Sequence, residues 1–375
     1  MENIRMNRSI RNAILGILVI GFLGSGCQKD EDPVVVEAPY ASGMLLVNEG
    51  NFNQANGTIS HYDLTDGVVT NSIFQSENTG MILGDVVQSI HCAFNKCYLV
   101  INNSNKVVVV SDAFDYLGEI TGLNQPRHIL VLDENRAYVS QWKSSTAGDG
   151  SIAVVDLNNF SITAEITGVG EAPERMIKVG ANEVYLSAQG NSSFIGFDDR
   201  AYVLNTITDA VSRSYVVGFG GDGLAEDING DVWLLCGGKK VYDAQFNLDT
   251  MQSTAPSLHR LTPSGGSILE GGLTEKALDA GKLMIDNDKE ELIFQAGTSI
   301  YKYNVFAGAN PFSLELVSNV FYYGIALDVT NGVIYAADAK DFSASGEMIR
   351  LRVTDGSEIG RFSVGIIPNG EAVFR

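Results

Sequence analysis

Residues able to do chemistry are few in this chain and widely dispersed. Its four histidines, His61, His91, His128 and His259, show no HExxH or His-x-His spacing that would gather a metal ion. No GxSxG nucleophile turn, Walker loop or GxGxxG opening a helix occurs. The glycine-rich run Gly218 to Gly223 (GFGGDG) has no helix after it whose N-terminus could hold phosphate, so a tight crossover is expected there. Asp227 to Asp231 (DINGD) and Asp286-Asn287-Asp288 are acidic, but neither continues into an oxygen-ligand loop closed by a bidentate Glu. Solvated turns are therefore expected rather than calcium sites. The cysteines are Cys27, Cys92, Cys97 and Cys236, without a CxxC pair, which argues against structural zinc. Cys92 and Cys97 flank a four-residue turn where a disulfide and two reduced thiols are both possible. Cys236, inside VWLLCGG, reads as a buried apolar residue. The expectation is a non-enzyme with no resident cofactor and no metal.

What the chain does offer is binding surface. Asn51, Phe52, Gln141, Trp142, Phe194, Phe219, Tyr242, Tyr322 and Phe342 place aromatic rings and amides in segments between apolar runs. Such residues suit a large or polyfunctional ligand held without chemistry, though blade packing is the competing role for each. Arg127 and Arg175 both follow a proline at the start of an inner strand, Pro126 directly and Pro173 two places earlier (QPRHI, APERM). They are candidates for anionic ligand groups; the alternative is that each ties neighbouring elements through a carboxylate.

The elements that must position these residues are strands. Gln125 to Leu157 holds three β-rich runs, HILVL, AYVSQW and SIAVVDL, and SITAEI follows at Ser161 to Ile166. This phrase recurs about every 45 residues, the period of one propeller blade. Counted along the chain, the runs form an all-β, seven-bladed β-propeller of four-stranded antiparallel blades. The first blade has only three runs, Met44 to Asn48, Thr58 to Leu64 and Val68 to Phe74. The C-terminal run Gly370 to Phe374 supplies its missing inner strand and removes the open edges. Blade five is the least regular, with a long connection from Gly237 to Ser257, and Thr274 to Ala280 carries a weak helical signal. In such a meander the loops between second and third strands emerge on the same side as the blade-to-blade crossovers. Long loops and aromatic residues concentrate there, and function is expected on that side.

Composition narrows the partners. Among 375 residues, 25 Lys and Arg face 45 Asp and Glu, a net charge of −20 that disfavours nucleic acid as a partner. At the N-terminus, Arg5, Arg8 and Arg11 precede the apolar stretch Ala13 to Leu23, which is short for a membrane span. Gly24-Ser25-Gly26-Cys27 then resembles a lipoprotein processing site, with Gly24 where Leu is usual; a plain secretory signal is the alternative. The organisation expected is a signal peptide over 1–26, a lipidated Cys27 with a flexible acidic linker over 27–42, and a propeller over 43–375. Gln28 to Pro33 (QKDEDP) looks like the acidic export signal of surface lipoproteins in the Bacteroidetes; an ordinary solvated tether is the alternative. That implies a protein lipid-anchored in the outer membrane and exposed at the cell surface.

LLVNEGNF (45–52), NGTISHYD (56–63), LGDVVQSI (83–90), YLVINNSNKVVVV (98–110), GLNQPRHI (122–129) and AYVSQW (137–142) carry a wider likeness. They resemble Bacteroidetes surface lipoproteins built as YncE-like propellers. The resemblance spans essentially the whole domain and is weakest in blade five. That family includes cobalamin-capturing partners of outer-membrane TonB-dependent transporters, and other members are linked to nutrients such as ferric siderophores. The resemblance implies capture of a scarce nutrient, cobalamin or a related corrinoid being favoured, and its delivery to such a transporter. Alternatives are ferric-siderophore capture, a propeller enzyme (a lyase or a quinoprotein-like oxidoreductase), and an adhesion or envelope scaffold.

Overall fold

The computed structural model describes residues 38–143, 150–192, 196–308 and 313–375. The signal-peptide and lipidation readings, Cys27 among them, lie outside those residues, as does Phe194. The described chain forms one compact unit, Ala38–Arg375. It is a propeller of seven four-stranded antiparallel sheets.

Strand chemistry changes from the middle of each blade to its rim. Second strands such as Arg136–Gln141 and Val232–Cys236 are buried almost throughout. Outer strands such as Ser161–Ile166 and Ala210–Val216 are largely exposed. A mid-blade strand is covered on both faces by neighbouring blades, so its sequence is a continuous apolar run; the rim strand has a solvated edge. The period of two then divides each strand between two interfaces. Leu45 and Val47 pack toward blade two, whereas Met44 and Leu46 pack toward blade seven. Seven apolar clusters result, one for each blade-to-blade interface.

The ring closes as expected. Pro368–Phe374 is the inner strand of blade one, pairing Met44 with Phe374 and Leu46 with Ala372. Gly43 and Arg375 exchange both backbone hydrogen bonds, and Arg375 also pairs with Asp112 of blade two. Arg375 thus fastens the closure to the next blade.

Two local expectations are corrected. The run expected as a strand through Phe74 is a two-residue strand, Val69–Thr70, followed by a short helix, Ile73–Glu77. Ser72 adopts a left-handed conformation that ends the strand, and the helix turns Ile73 and Phe74 into the core between blades one and two. Residues 274–279, where a helical signal stood, form turns before the strand Ala280–Ile285.

The acidic turns are built from their own carboxylates. Asp227 Oδ1 accepts the N–H groups of Asn229 and Asp231, at 2.8 and 3.0 Å, while Oδ2 accepts the Trp233 indole at 2.9 Å. Asp286 Oδ1 likewise accepts from the backbone of Glu290 and Glu291. These side chains complete Asx turns. Cys92 and Cys97 are disulfide-bonded across the hairpin, and Cys236 is a free buried thiol.

Candidate ligand-binding face

Six of the seven inner strands begin with the same local device. Pairing registers shift at Val87/Ser89, Pro126/Ile129, Pro173/Met176, Gly221/Leu224 and Gly281/Met284, and blade one shifts opposite Pro368. A bulge sets two residues against one and re-aims their side chains. Proline suits the first position, because an entering strand has no ladder bond to make there. The re-aimed residues are Gln88, Arg127 with His128, Glu174 with Arg175, Asp222, Lys282, and Asn369 with Glu371. They meet at the mouth of the central channel, on the side of the long loops.

There they form a closely paired network. Arg127 grips Glu174 through Nε and Nη2, each at 2.9 Å, and donates from Nη1 to Gln88 Oε1 at 2.7 Å. Its guanidinium lies 4.1 Å from the Trp142 ring centroid, and the Trp142 indole donates to Glu174 at 2.9 Å. Arg175 donates to Asp222 at 3.1 Å and pairs across the channel with Glu371, which also accepts from Lys282 at 3.0 Å. Glu49 accepts from Asn369 and from the Tyr323 hydroxyl, each at 3.1 Å.

Electrostatics separate these acids. Burial would raise the carboxyl of Glu174, but Arg127 and His128 hold it well below the usual carboxylate range. Burial is overridden for Glu371 too, by Arg175 and Lys282. Glu49 goes the other way: burial outweighs Asn369, Lys282 and Tyr323, and its carboxyl is raised. Such paired, low-lying carboxylates are braces between blades, whose removal strands a buried cation.

Beside this mouth, among blades five, six and seven, a cavity of about 440 Å³ opens on the same face. Asp222, Asp279, Lys282, Gln295, Phe321 and Tyr323 are part of its wall. A smaller cavity of about 210 Å³ lies in the channel against Arg175, Lys282 and Glu371. Lys282 borders both and has a left-handed backbone, φ 59°. Among the described residues no three of His, Cys, Asp or Glu gather in a way that could hold a metal ion.

The residues expected to bind ligand separate into groups. Arg127, Trp142 and Arg175 meet at the channel mouth, but as members of the paired network. Gln141 is buried, accepting from Asn124 N at 2.7 Å and donating to Ser151, which is a packing role. Tyr322 is buried in the cavity wall, where Gln295 donates to its carbonyl at 2.5 Å. Asn51 donates to the Phe342 carbonyl at 2.6 Å, and the Phe342 ring stands edge-on to Tyr323 at 5.2 Å. Phe52, 66% exposed, stands on the same loop as Asn51. Phe219 contacts Phe197 edge-on at 6.4 Å, with Lys239 Nζ 4.6 Å from the Phe197 ring. Tyr242 is in the blade-five loop, bridged to Leu248.

Sequence reasoning passed over Glu174, Asp222, Lys282, Asn369 and Glu371 in the network, and Asp279, Gln295, Phe321 and Tyr323 in the cavity. The first group was within reach. Aligning QSI, PRH, PER, GDG, GKL and NGE by their place in the repeat puts a polar residue at every bulge.

A family profile, Domain of unknown function (DUF5074), matches residues 42–361. The chain belongs to the DUF5074 family. No curated protein matches it. Solved structures share the DUF5074 propeller's fold at low identity. The periplasmic gluconolactonase of Pseudomonas aeruginosa is 12% identical with a TM-score of 0.62, covering 88% of this chain and 98% of that one. A putative 6-phosphogluconolactonase from Bacteroides uniformis is 10% identical with a TM-score of 0.63, covering 89% and 100%. A protein from Lactobacillus plantarum is 13% identical with a TM-score of 0.63, covering 89% and 99%. These likenesses show the propeller fold of the DUF5074 chain.

Proposed function

We propose that this DUF5074 propeller is a surface-anchored, non-catalytic capture protein for a scarce nutrient. It delivers that nutrient to an outer-membrane TonB-dependent transporter. Cobalamin or a related corrinoid is the favoured ligand, on the sequence resemblance described above.

One observation carries the capture reading: an aromatic-rimmed cavity adjoins a channel mouth whose charged groups are already engaged with one another. A catalytic centre needs a group poised for proton transfer or attack, whereas Arg127, Glu174, Arg175 and Glu371 brace the blades. A cavity of about 440 Å³ suits a small molecule or one arm of a larger one. The exposed rings of Phe321, Phe342 and Phe52 could cover the remainder.

Two further features are consistent with this reading. The Cys92–Cys97 disulfide fits an exported protein. Gly43 pairs with Arg375 at the end of blade one opposite the long loops, so the chain enters the fold there. Residues 38–43 therefore stand on the side away from the long-loop face, where the cavity opens.

The direct test is calorimetric titration of the purified chain with cobalamin and, separately, with a ferric siderophore. Saturable heat with cobalamin is expected; heat with the siderophore alone would move the ligand assignment, and heat with neither would remove it. For the anchor, Cys27→Ala should release the protein from the membrane fraction. Retention of that variant would contradict lipid attachment.

A further inference from the structure

The blade-five connection, Gly237 to Ser257, is longer than the propeller repeat requires. Its own backbone is cross-tied. Thr254 N donates to Lys239 O at 3.0 Å, Asp249 N to Val241 O at 2.8 Å, and Val241 N to the Ser253 hydroxyl at 3.0 Å. At its start, Gly237 N and Gly238 N donate to the carbonyls of Gly220 and Phe219 in the preceding crossover, at 2.7 and 2.9 Å. Lys239 Nζ lies 4.6 and 5.5 Å from the ring centroids of Phe197 and Phe219, so this stem is also held from the blade-four side.

The loop's other neighbour is the crossover into blade six. Residues 273–279 form no strand, yet Ala277, Leu278 and Asp279 are part of the wall of the 440 Å³ cavity. Two lysines tie loop and crossover together in opposite directions. Lys240, 6% exposed, donates from its ammonium to the carbonyls of Lys276, at 2.9 Å, and Leu278, and to Gly237 O at 2.9 Å. Lys276 Nζ returns to Thr250 O at 2.8 Å. Leu273 N donates to Pro256 O at 3.1 Å, and on the blade-six side Gly297 N holds Asp279 O at 2.8 Å. Gly237 packs so closely that a Cβ there would stand 2.6 Å from Asp279 Oδ1.

A buried ammonium must recover its lost hydration from hydrogen bonds, and bonds to a charged donor are roughly twice as strong as neutral ones. One cation therefore holds the carbonyls on either side of Ala277, in a segment without strand pairing of its own. Lys240 itself is not part of the cavity wall. We infer that the blade-five loop is a strap that positions one wall of the ligand cavity, with Lys240 as its pin. Lys240 is a positioning residue, acting on Ala277 to Asp279 through the backbone. The fit of the cavity is then set from outside it, by a loop that closure of the propeller does not need. This rests on the capture reading only in taking the cavity as the place where ligand is held.

Hydrogen exchange of the purified full chain tests the strap with two variants. Lys240→Met keeps much of the stem and removes the charge, and Lys276→Ala removes the return bond to Thr250. Exchange in residues 276–280 should quicken at least about fivefold in Lys240→Met, and by a smaller factor in Lys276→Ala. The blade-five strands Val232–Cys236 and Ser257–Leu261 should change much less. Equal quickening of those strands would mean that Lys240 supports blade five as a whole, and overturns the proposal. So does a wall whose exchange is unchanged. Should Lys240→Met not fold, Lys276→Ala decides by the same comparison. Cobalamin should bind Lys240→Met at least about fivefold more weakly than wild type. A loosened wall with unchanged cobalamin affinity also overturns the proposal, because the wall would then play no part in holding ligand. A wild type that binds no cobalamin removes the ligand assignment instead, and the exchange comparison alone then decides the strap.

Discussion

Glu174 shows how a single residue sets the character of the channel mouth. It is almost fully buried and accepts from the Arg127 guanidinium and the Trp142 indole, with His128 3.3 Å away. Removing it leaves Arg127 buried without its counter-charge. Glu174→Ala should therefore cost about 3–5 kcal/mol at neutral pH, and Glu174→Gln less, since the amide keeps an acceptor. The pH dependence has a definite sign. Its folded carboxyl is held below the usual range, so its contribution is fully present above the unfolded value near 4.3 and fades as the pH falls toward the folded value. Denaturant melts should show the gap between wild type and Glu174→Ala narrowing from pH 7 to pH 3. A gap that stays constant would mean that Glu174 acts by packing alone. At this scale sequence reading was half right. QPRHI and APERM marked Arg127 and Arg175 as channel-mouth residues, but their acidic partners come from other blades. Glu174 is 47 positions from Arg127 and Glu371 is 196 from Arg175, and no local pattern connects residues so far apart.

At the scale of elements, legibility followed burial. Second strands, covered on both faces, show as unbroken apolar runs and were located to within a residue or two. The helix Ile73–Glu77 was missed because its five residues are too few to display a helical period, and its apolar pair resembles a strand. The bulges at inner-strand entry were also unseen, since a register shift leaves little trace in composition. The Cys92–Cys97 hairpin gives an element-scale prediction. The cysteines are five positions apart, so the closed loop is short and the chain entropy it removes is modest. The double variant Cys92→Ser/Cys97→Ser should lose about 2 kcal/mol in chemical denaturation and still fold. Failure to fold at all would show that the bridge organises blade two rather than securing it.

For the whole molecule, the ring was the most legible feature and the ligand the least. A repeat of about 45 residues with a spare C-terminal strand leads directly to a closed propeller, because closure is what removes the sheet edges. No comparable rule leads to the cavity. Asp222 belongs to blade five, Asp279 to the entry of blade six, Gln295 to its second strand and Phe321 to the crossover after it, so the cavity exists only where these parts stack. The central claim is that ligand is held on the long-loop face, and hydrogen exchange of the full chain with and without cobalamin tests it most directly. Protection is predicted in residues 277–282 and 321–323, which border the cavity, with no change in the opposite-face turns at 133–136 and 180–183. Protection confined to those opposite turns, or none at saturating cobalamin, would contradict it.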